Sequence, residues 1–337
     1  MVKLILVVIA LAVYALWQLM NVYNLSRKMK GTLSENATVK DNELQGKLFI
    51  VYFAAFFAFV AWQLIEYGPR LLPVSASEHG VITDWLMDVN MVIIFIPFVL
   101  THIFLAYFSW KYAGKEGQKA VFYSHNNKIE MIWTVVPAIV LTVIIAYGIK
   151  SWNTITTLPT DGMQEIELYA QQFNWTARYA GADNKLGPNN YMKIEGANEL
   201  GILMDSVASQ DDKIVKGELH IPVGVPVNFK MRSRDVIHSA YMPHFRAQMN
   251  CVPGMSTQMH FTPTITTAEM QTKLKNPKFK YVLLCAKICG SSHWNMQMDI
   301  VVDTPAEYKK WLAEQKTLAE TLLAPAPADS VAVVAVK

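Results

Sequence analysis

Apolar residues come in four long runs across the first half of the chain and in short mixed stretches across the second. The runs are roughly Leu4–Trp17, Leu48–Leu64, Val92–Phe108 and Met131–Tyr147, the third following polar residues at Asp88 and Asn90. Each approaches the ~20 apolar residues a helix needs to cross a bilayer. The first run also has the position of a signal peptide. Trp17 and Met20 stand where small cleavage-site residues would be, which favours a retained anchor. From about Glu165 the stretches EIELYAQQFNWTARY, GELHIPVGVPVNFKM, STQMHFTPT and KYVLLCAKI mix β-branched and aromatic residues between turn signals. They predict an antiparallel sandwich or barrel. A helix is expected over Pro305–Leu322, and the Ala/Pro/Val-rich ending LLAPAPADSVAVVAVK reads as a loosely held tail.

Composition agrees with a membrane part. The chain has 337 residues, 52% hydrophobic and only 17% charged, against about 25% charged in soluble domains. A net charge of +3 without a basic stripe gives no case for nucleic acid. Positive loops stay in the cytoplasm. The segment between runs one and two carries Arg27, Lys28, Lys30, Lys40 and Lys47, and that between runs three and four carries Lys111, Lys115, Lys119 and Lys128. Between runs two and three stands only Arg70. Both ends, and everything after Ser151, are therefore expected outside.

The densest chemistry is CAKICGSSHWNM, which sets Cys285, Cys289, His293 and Met296 at C-x3-C-x3-H-x2-M spacing. His238 lies 47 residues before Cys285, at the end of the strand-like VNFKMRSRDVIH. Thiolate and thioether ligands beside imidazole favour copper, and a second cysteine on the same loop allows two thiolates to bridge two ions. Two cysteines and two histidines also make a closed zinc site, but Met296 is a poor zinc ligand. A Cys285–Cys289 disulfide would leave both histidines unexplained. The third cysteine, Cys251, reads as a small buried residue.

These residues, with the helices before them, resemble cytochrome c oxidase subunit II over roughly Trp85 to Trp311. SRDVIHSAYMPHFRAQMNCVPGM looks like the segment carrying the first copper histidine, CAKICGSSHWNM like the binuclear copper loop, ELHIPVGVPVNF like the first strand leading in, and HNNKIEMIWTVVPAIVLTVI like a hairpin helix. The resemblance implies an α+β membrane protein, transmembrane helices plus an extramembrane all-β cupredoxin-like sandwich. The expected division is an extra helical pair over 1–70, a hairpin over 71–155, the copper domain over 156–304, and a helix and tail over 305–337. It implies a dinuclear copper A centre held by His238, Cys285, Cys289, His293 and Met296, with the backbone carbonyl of Lys287. Glu130 matches a carboxylate at the mouth of a proton path, the plainer reading being a solvated acid at a helix start. The implied role is electron input: from a cytochrome c-type donor, through copper, to haem in a catalytic partner subunit that reduces oxygen and translocates protons, in a bacterial inner membrane with the copper domain periplasmic.

Several positions depart from the family pattern. Lys287 stands where the family has a Glu that also binds magnesium or manganese. A charged lysine cannot ligate a cation, so that ion is not expected unless another carboxylate substitutes. Where the family run reads Trp-Tyr-Trp, this chain has Phe173, Asn174 and Trp175; the resemblance implies electron entry at Phe173, the position where electrons arrive from soluble cytochrome c, and at Trp175. Asn250 and Met255 replace a carboxylate and an arginine. Acidic and basic residues after Ser151 nearly balance, giving no acidic field to steer a basic cytochrome. A donor held nearby, tethered or in a supercomplex, is the expectation. A copper-free quinol-oxidase form would lack the cysteines and histidines. A membrane-tethered zinc-binding structural domain is the alternative from another class. His102 is expected to face a protein neighbour rather than lipid. His220, His244 and His260 read as satisfied structural histidines, and Gln63 and Glu66 as interface residues.

Overall fold

The computed structural model describes residues 2–31, 38–119, 121–158 and 162–322. Four helices lead: α1 (Val2–Met29), α2 (Val39–Tyr67), α3 (Glu78–Lys111) and α4 (Asn127–Thr156). All four are long and apolar enough to cross a membrane. Each outruns its apolar core because flanking polar residues continue the helix. Thr38 and Asp41 form a reciprocal capping box at the start of α2. Asp88 and Asn90 lie inside α3, and the Asn90 amide donates to the Leu86 carbonyl at 2.7 Å. Of the predicted tail, residues 323–337 lie outside the described residues.

The chain forms two compact units. One comprises Met1–Pro69 and Val92–Asn126. In it His102 donates from Nδ1 to the Phe98 carbonyl at 2.7 Å. The Phe53, Phe56, Phe57 and Phe98 rings surround it, with centroids 5.7, 5.8, 6.2 and 4.5 Å away. The protein neighbour expected for His102 is thus α2 of its own chain.

The other unit comprises Arg70–Met91 and Asn127–Lys337. Its ten strands are β1 (Gln164–Gln171), β2 (Asn174–Tyr179), β3 (Lys213–Lys216), β4 (Glu218–Pro222), β5 (Val227–Ser233), β6 (His238–Met242), β7 (Ala247–Cys251), β8 (Thr257–Phe261), β9 (Tyr281–Cys285) and β10 (Gln297–Asp303). They make two five-stranded sheets, ordered β3-β2-β1-β5-β8 and β4-β10-β9-β6-β7. The sandwich is not purely antiparallel as the strand pattern suggested: β1 pairs parallel with β5, and β4 with β10. Long connections permit these crossovers. The two inner faces share one core in which Leu168, Trp175, Phe229, Phe245, Tyr281 and Ile300 are buried.

The expected Pro305–Leu322 helix is two: α7 (Pro305–Glu314) and α8 (Leu318–Leu322), after the short α5 (Val207–Gln210) and α6 (Thr267–Leu274). Gln315 leaves the helix in extended conformation. Thr317 and Glu320 then exchange hydrogen bonds, 2.8 and 3.2 Å, that start α8. On the sandwich, His220 stacks on Trp311 of α7 at 3.9 Å and meets Asp303 at 2.6 Å.

The segment before α3 is sewn to the sandwich. Ala76 N–H donates to the His244 carbonyl (2.7 Å), Glu78 N–H to Thr262 (3.2 Å), and Ser77 Oγ to Phe245 (2.7 Å). Arg246 grips Asp84 of α3 with two nitrogens, at 2.7 and 3.0 Å.

A buried ionic network spans β1, β2 and β5. Arg178 donates to Glu167 (2.5 Å), Asp212 (2.7 Å) and the Gly187 carbonyl (2.9 Å). Glu167 also accepts from Arg232. Burial pushes Asp212 up to about 6 despite the pull of Arg178. Burial opposes charge on Glu167 too, but Arg178 and Arg232 outweigh it and hold its carboxyl below the usual range. Removing one partner leaves a buried charge uncompensated, at about 3–5 kcal/mol. Glu167→Gln is therefore expected to lower the unfolding free energy by about that amount in a denaturant titration of the detergent-solubilised chain; a loss below about 1 kcal/mol would show that the network does not hold the sheet.

Candidate metal centre

Strands β6 and β9 carry the site. They pair antiparallel through Ala240↔Cys285 and Tyr241↔Leu284. His238, two residues before Ala240, is then the diagonal neighbour of Cys285 on the same face. The Cys285–Met296 loop returns into β10, which pairs with β9 through Gln297↔Leu284. The loop is closed by Cys285 N–H donating to the Met296 carbonyl at 3.1 Å.

Five side chains predicted from sequence meet here. Cys285 Sγ lies 3.8 Å from His238 Nδ1 and 3.9 Å from Cys289 Sγ. Cys289 Sγ lies 3.5 Å from His293 Nδ1 and 3.9 Å from Met296 Sδ. The Lys287 carbonyl is 3.2 Å from Cys285 Sγ. His238, Cys285 and Cys289 offer ligand atoms all within 4.8 Å of one another. Nitrogen and sulfur ligands on one ion at about 2.0 and 2.3 Å sit about 3.5 Å apart at a tetrahedral angle, so these spacings fit metal-sized gaps. The two sulfurs are far beyond the ~2.05 Å of a disulfide, and both cysteines are free. Burial, followed by the neighbouring Cys285, pushes the Cys289 thiol up to about 11. A thiolate pair there calls for a cation.

His238 is fully buried, and its ring is held from outside the cluster. Its Nε2 meets Asp235 Oδ1 at 2.9 Å, leaving Nδ1 directed at Cys285. Burial works against charge on Asp235, but the Gln172 N–H, the His238 ring and the Val236 N–H hold its carboxyl below the usual range. Gln172 contributes twice: its N–H donates to Asp235 Oδ2 (2.8 Å) and its side chain to the Cys289 carbonyl (2.5 Å). Neither Asp235 nor Gln172 was singled out from sequence. The signal available was a carboxylate three residues before the histidine in SRDVIH.

Trp175 is buried on β2, its ring centroid 6.3 Å from that of His238. Phe173 stands half-buried in the β1–β2 turn against the loop. Asn174 and Asn250 are exposed. Met255 is exposed as well. Cys251 is buried opposite His238 in the β6–β7 register. Glu130 lies in the first turn of α4, outside this cluster. Ile288, Trp294 and Ile237 expose apolar surface around the loop.

A membrane-anchored mixed-sheet sandwich with a cysteine–histidine–methionine cluster at one end defines a class of redox-metal domain. The sequence matches the family described as Cytochrome C oxidase subunit II, transmembrane domain, over residues 62–150, and that described as Cytochrome C oxidase subunit II, periplasmic domain, over residues 165–304. It is 33% identical to the alternative cytochrome c oxidase subunit 2 of Bradyrhizobium diazoefficiens, covering 72% of this chain and 83% of that one. It is 27% identical to cytochrome c oxidase subunit 2 of Thermostichus vulcanus, covering 77% and 83%. The crystal structure of the periplasmic domain of subunit II of cytochrome oxidase (CoxB) of Bradyrhizobium japonicum is 18% identical, with a TM-score of 0.31 over 47% of this chain and 95% of that one. The chain belongs to the cytochrome c oxidase subunit II family. It is the electron-input type of subunit of a haem-copper oxidoreductase complex, a membrane protein whose cupredoxin-like domain lies on the outer side, in a family that binds copper.

Gly290 tests how the loop is shaped. It sits at φ +144°, and a Cβ there would come within 2.7 Å of Phe173 Cζ and 2.8 Å of Gln172 Nε2. Gly290→Ala is expected to cost about 1–3 kcal/mol and to loosen the Gln172 contact. Unchanged thermal melting would show that the loop has room to shift.

Proposed function

We propose that the cluster is a dinuclear copper A centre through which this chain feeds a terminal oxidase of the bacterial inner membrane. The observation that carries this reading is the meeting of two thiols, two imidazoles and a thioether in one corner, where His238, Cys289 and Met296 are buried and Cys285 and His293 half-buried. The soft thioether is what favours copper over zinc. Copper held here would supply one-electron chemistry between a cytochrome c-type donor and haem of the catalytic subunit, the partner in which oxygen would be reduced to water and protons translocated. Cys285, Cys289, His238, His293 and Met296, with the Lys287 carbonyl, would hold the copper, the two thiolates and two imidazoles as the stronger donors and the thioether and carbonyl as the weaker ones.

The remaining residues prepare the site. Asp235 fixes the His238 ring so that Nδ1 faces the sulfurs, the outer-shell arrangement typical of metal-bound histidine. Gln172 ties the β1–β2 turn to the Cys289 backbone, so the Phe173–Trp175 segment, the assigned electron-input path, is held to the loop. Lys287 takes no part in holding magnesium; its charge pairs with a carboxylate or haem propionate of the catalytic subunit. Glu130 marks the mouth of a proton path into that subunit. Residues 1–70 supply lateral contacts for a donor kept close.

Electron spin resonance of the copper-loaded chain is expected to show hyperfine coupling to two equivalent copper nuclei. Cys285→Ser or Cys289→Ser should abolish that spectrum, whereas Met296→Leu should keep copper and change the reduction potential. Coupling to a single nucleus, zinc in place of copper, or equal copper loss in all three variants would refute the assignment.

The donor reading has its own test. Reduction of the centre by a small basic cytochrome c, followed across a salt series, is expected to be slow and nearly independent of ionic strength. Fast reduction at low salt that collapses as salt rises would mean a steered, diffusing donor instead.

A further inference from the structure

Away from the copper loop, the early turns of α2 cross the last turns of α3. Gly46 makes the crossing close. It is buried, and a Cβ there would lie 3.1 Å from Trp110 Cα and 3.2 Å from the Ser109 carbonyl oxygen. Beside the crossing is a cleft of ≈ 190 Å³, lined by Glu43 and Lys47 of α2, Trp110 and Lys111 of α3, and Ala113 and Lys115 just beyond. Because α3 starts against the outer-side sandwich, this end of it lies on the inner side of the membrane.

Inner-side loops are rich in lysine in any membrane protein, and cations at a helix C-terminus suit its dipole. Those rules bring lysines to this side. They do not gather three of them, from both helices, around one cleft. Lys111 is held there by cation–π contacts with Tyr107 and Tyr112, at 5.1 and 5.6 Å. Among the described residues, neither Lys47 nor Lys115 has an ion-pair partner. Glu43 offsets one of the three positive charges lining the cleft and leaves two.

The geometry points to a binding site for one anionic phospholipid of the inner leaflet, its phosphate seated among Lys47, Lys111 and Lys115. Basic pockets between helices on this side of a membrane take anionic headgroups. The cleft is smaller than the ~300–1,000 Å³ of a small-molecule pocket, so it holds a headgroup and leaves the acyl chains outside. Ile50 and Val51, one turn deeper than Lys47, and Tyr107, one turn deeper than Lys111, expose apolar surface to those chains. The α2 wall of the cleft precedes the family match, which begins at residue 62. A lipid bound there clamps α2 to α3.

The test uses the full chain in detergent, with its native metal content, titrated with phosphatidylglycerol or with phosphatidylcholine of the same acyl chains. Native mass spectrometry counts the lipid bound. One phosphatidylglycerol is expected to bind in preference to phosphatidylcholine. Lys47→Gln, Lys111→Gln and Lys115→Gln should each weaken it about fivefold, which corresponds to about 1 kcal/mol per basic residue. The triple variant should lose the preference. Glu43→Gln should tighten binding, an effect that a purely structural role would not produce. Circular dichroism checks that the variants fold; should the lysine variants fail, Glu43→Gln and the parent chain's choice between the two lipids decide. Equal retention of both lipids, or an unchanged preference in the folded triple variant, overturns the site. Glycerol 3-phosphate separates a lipid from a free anion: its displacing phosphatidylglycerol at equal concentration overturns the lipid assignment.

Discussion

The metal corner depends on a pairing only two residues long. Strands β6 and β9 meet through Ala240↔Cys285 and Tyr241↔Leu284, and that contact makes His238 a neighbour of a cysteine 47 residues later. Side chains on a strand alternate faces, so slipping this register by one residue would turn His238 away from the sulfurs. Ala240 is fully buried between them. Strand β9 is also braced by β10 and β6 by β7, so the short contact lies inside a sheet rather than at its margin.

Strand β1 joins the two costly features of this domain. Its middle carries Glu167, neutralised by Arg178 and Arg232 in the interior. Just past its end, Gln172 reaches Asp235 and the Cys289 backbone. A buried ionic cluster is weak support for stability in itself, since dehydrating charges opposes their attraction. Its value here is positional: it anchors the strand whose far end supports the metal loop. The parallel β1–β5 register sets Ala170 beside Ser233, two residues before Asp235, so both arms of that support leave the sheet together.

Much of this was legible in the chain itself. The four helices were visible as apolar runs, because lipid-spanning length is a local property. The Cys285–Met296 ligands were visible because they are close in sequence, and His238 because the copper-loop resemblance reaches back to it. What escaped notice was non-local or polar. Residue spacing does not reveal that Gln172 would touch Cys289. The parallel pairs β1–β5 and β4–β10 were missed because strand patterns do not encode direction. The helix expected over Pro305–Leu322 breaks where Thr317 and Glu320 cap a fresh start, a signal present in TLAE but outweighed by the continuing apolar pattern.

The loop's own closure carries one more consequence. Its two ends are clasped by the Cys285 N–H to Met296 carbonyl bond and by the Gln297↔Leu284 pair directly beyond. Between those clasps the loop meets the rest of the domain at few points: Ala286 N–H donates to the Ser239 carbonyl of β6, Gln172 donates to the Cys289 carbonyl, and the Cys289 side chain packs into the core. Such a segment is exchangeable as a unit: its length and ligand set can drift, through evolution or by grafting, while the sandwich beneath keeps its register. Asp235 and Gln172 lie outside the clasps, so a transplanted loop would inherit a ready-oriented histidine from its host, and hosts lacking those two residues would accept the same loop less well.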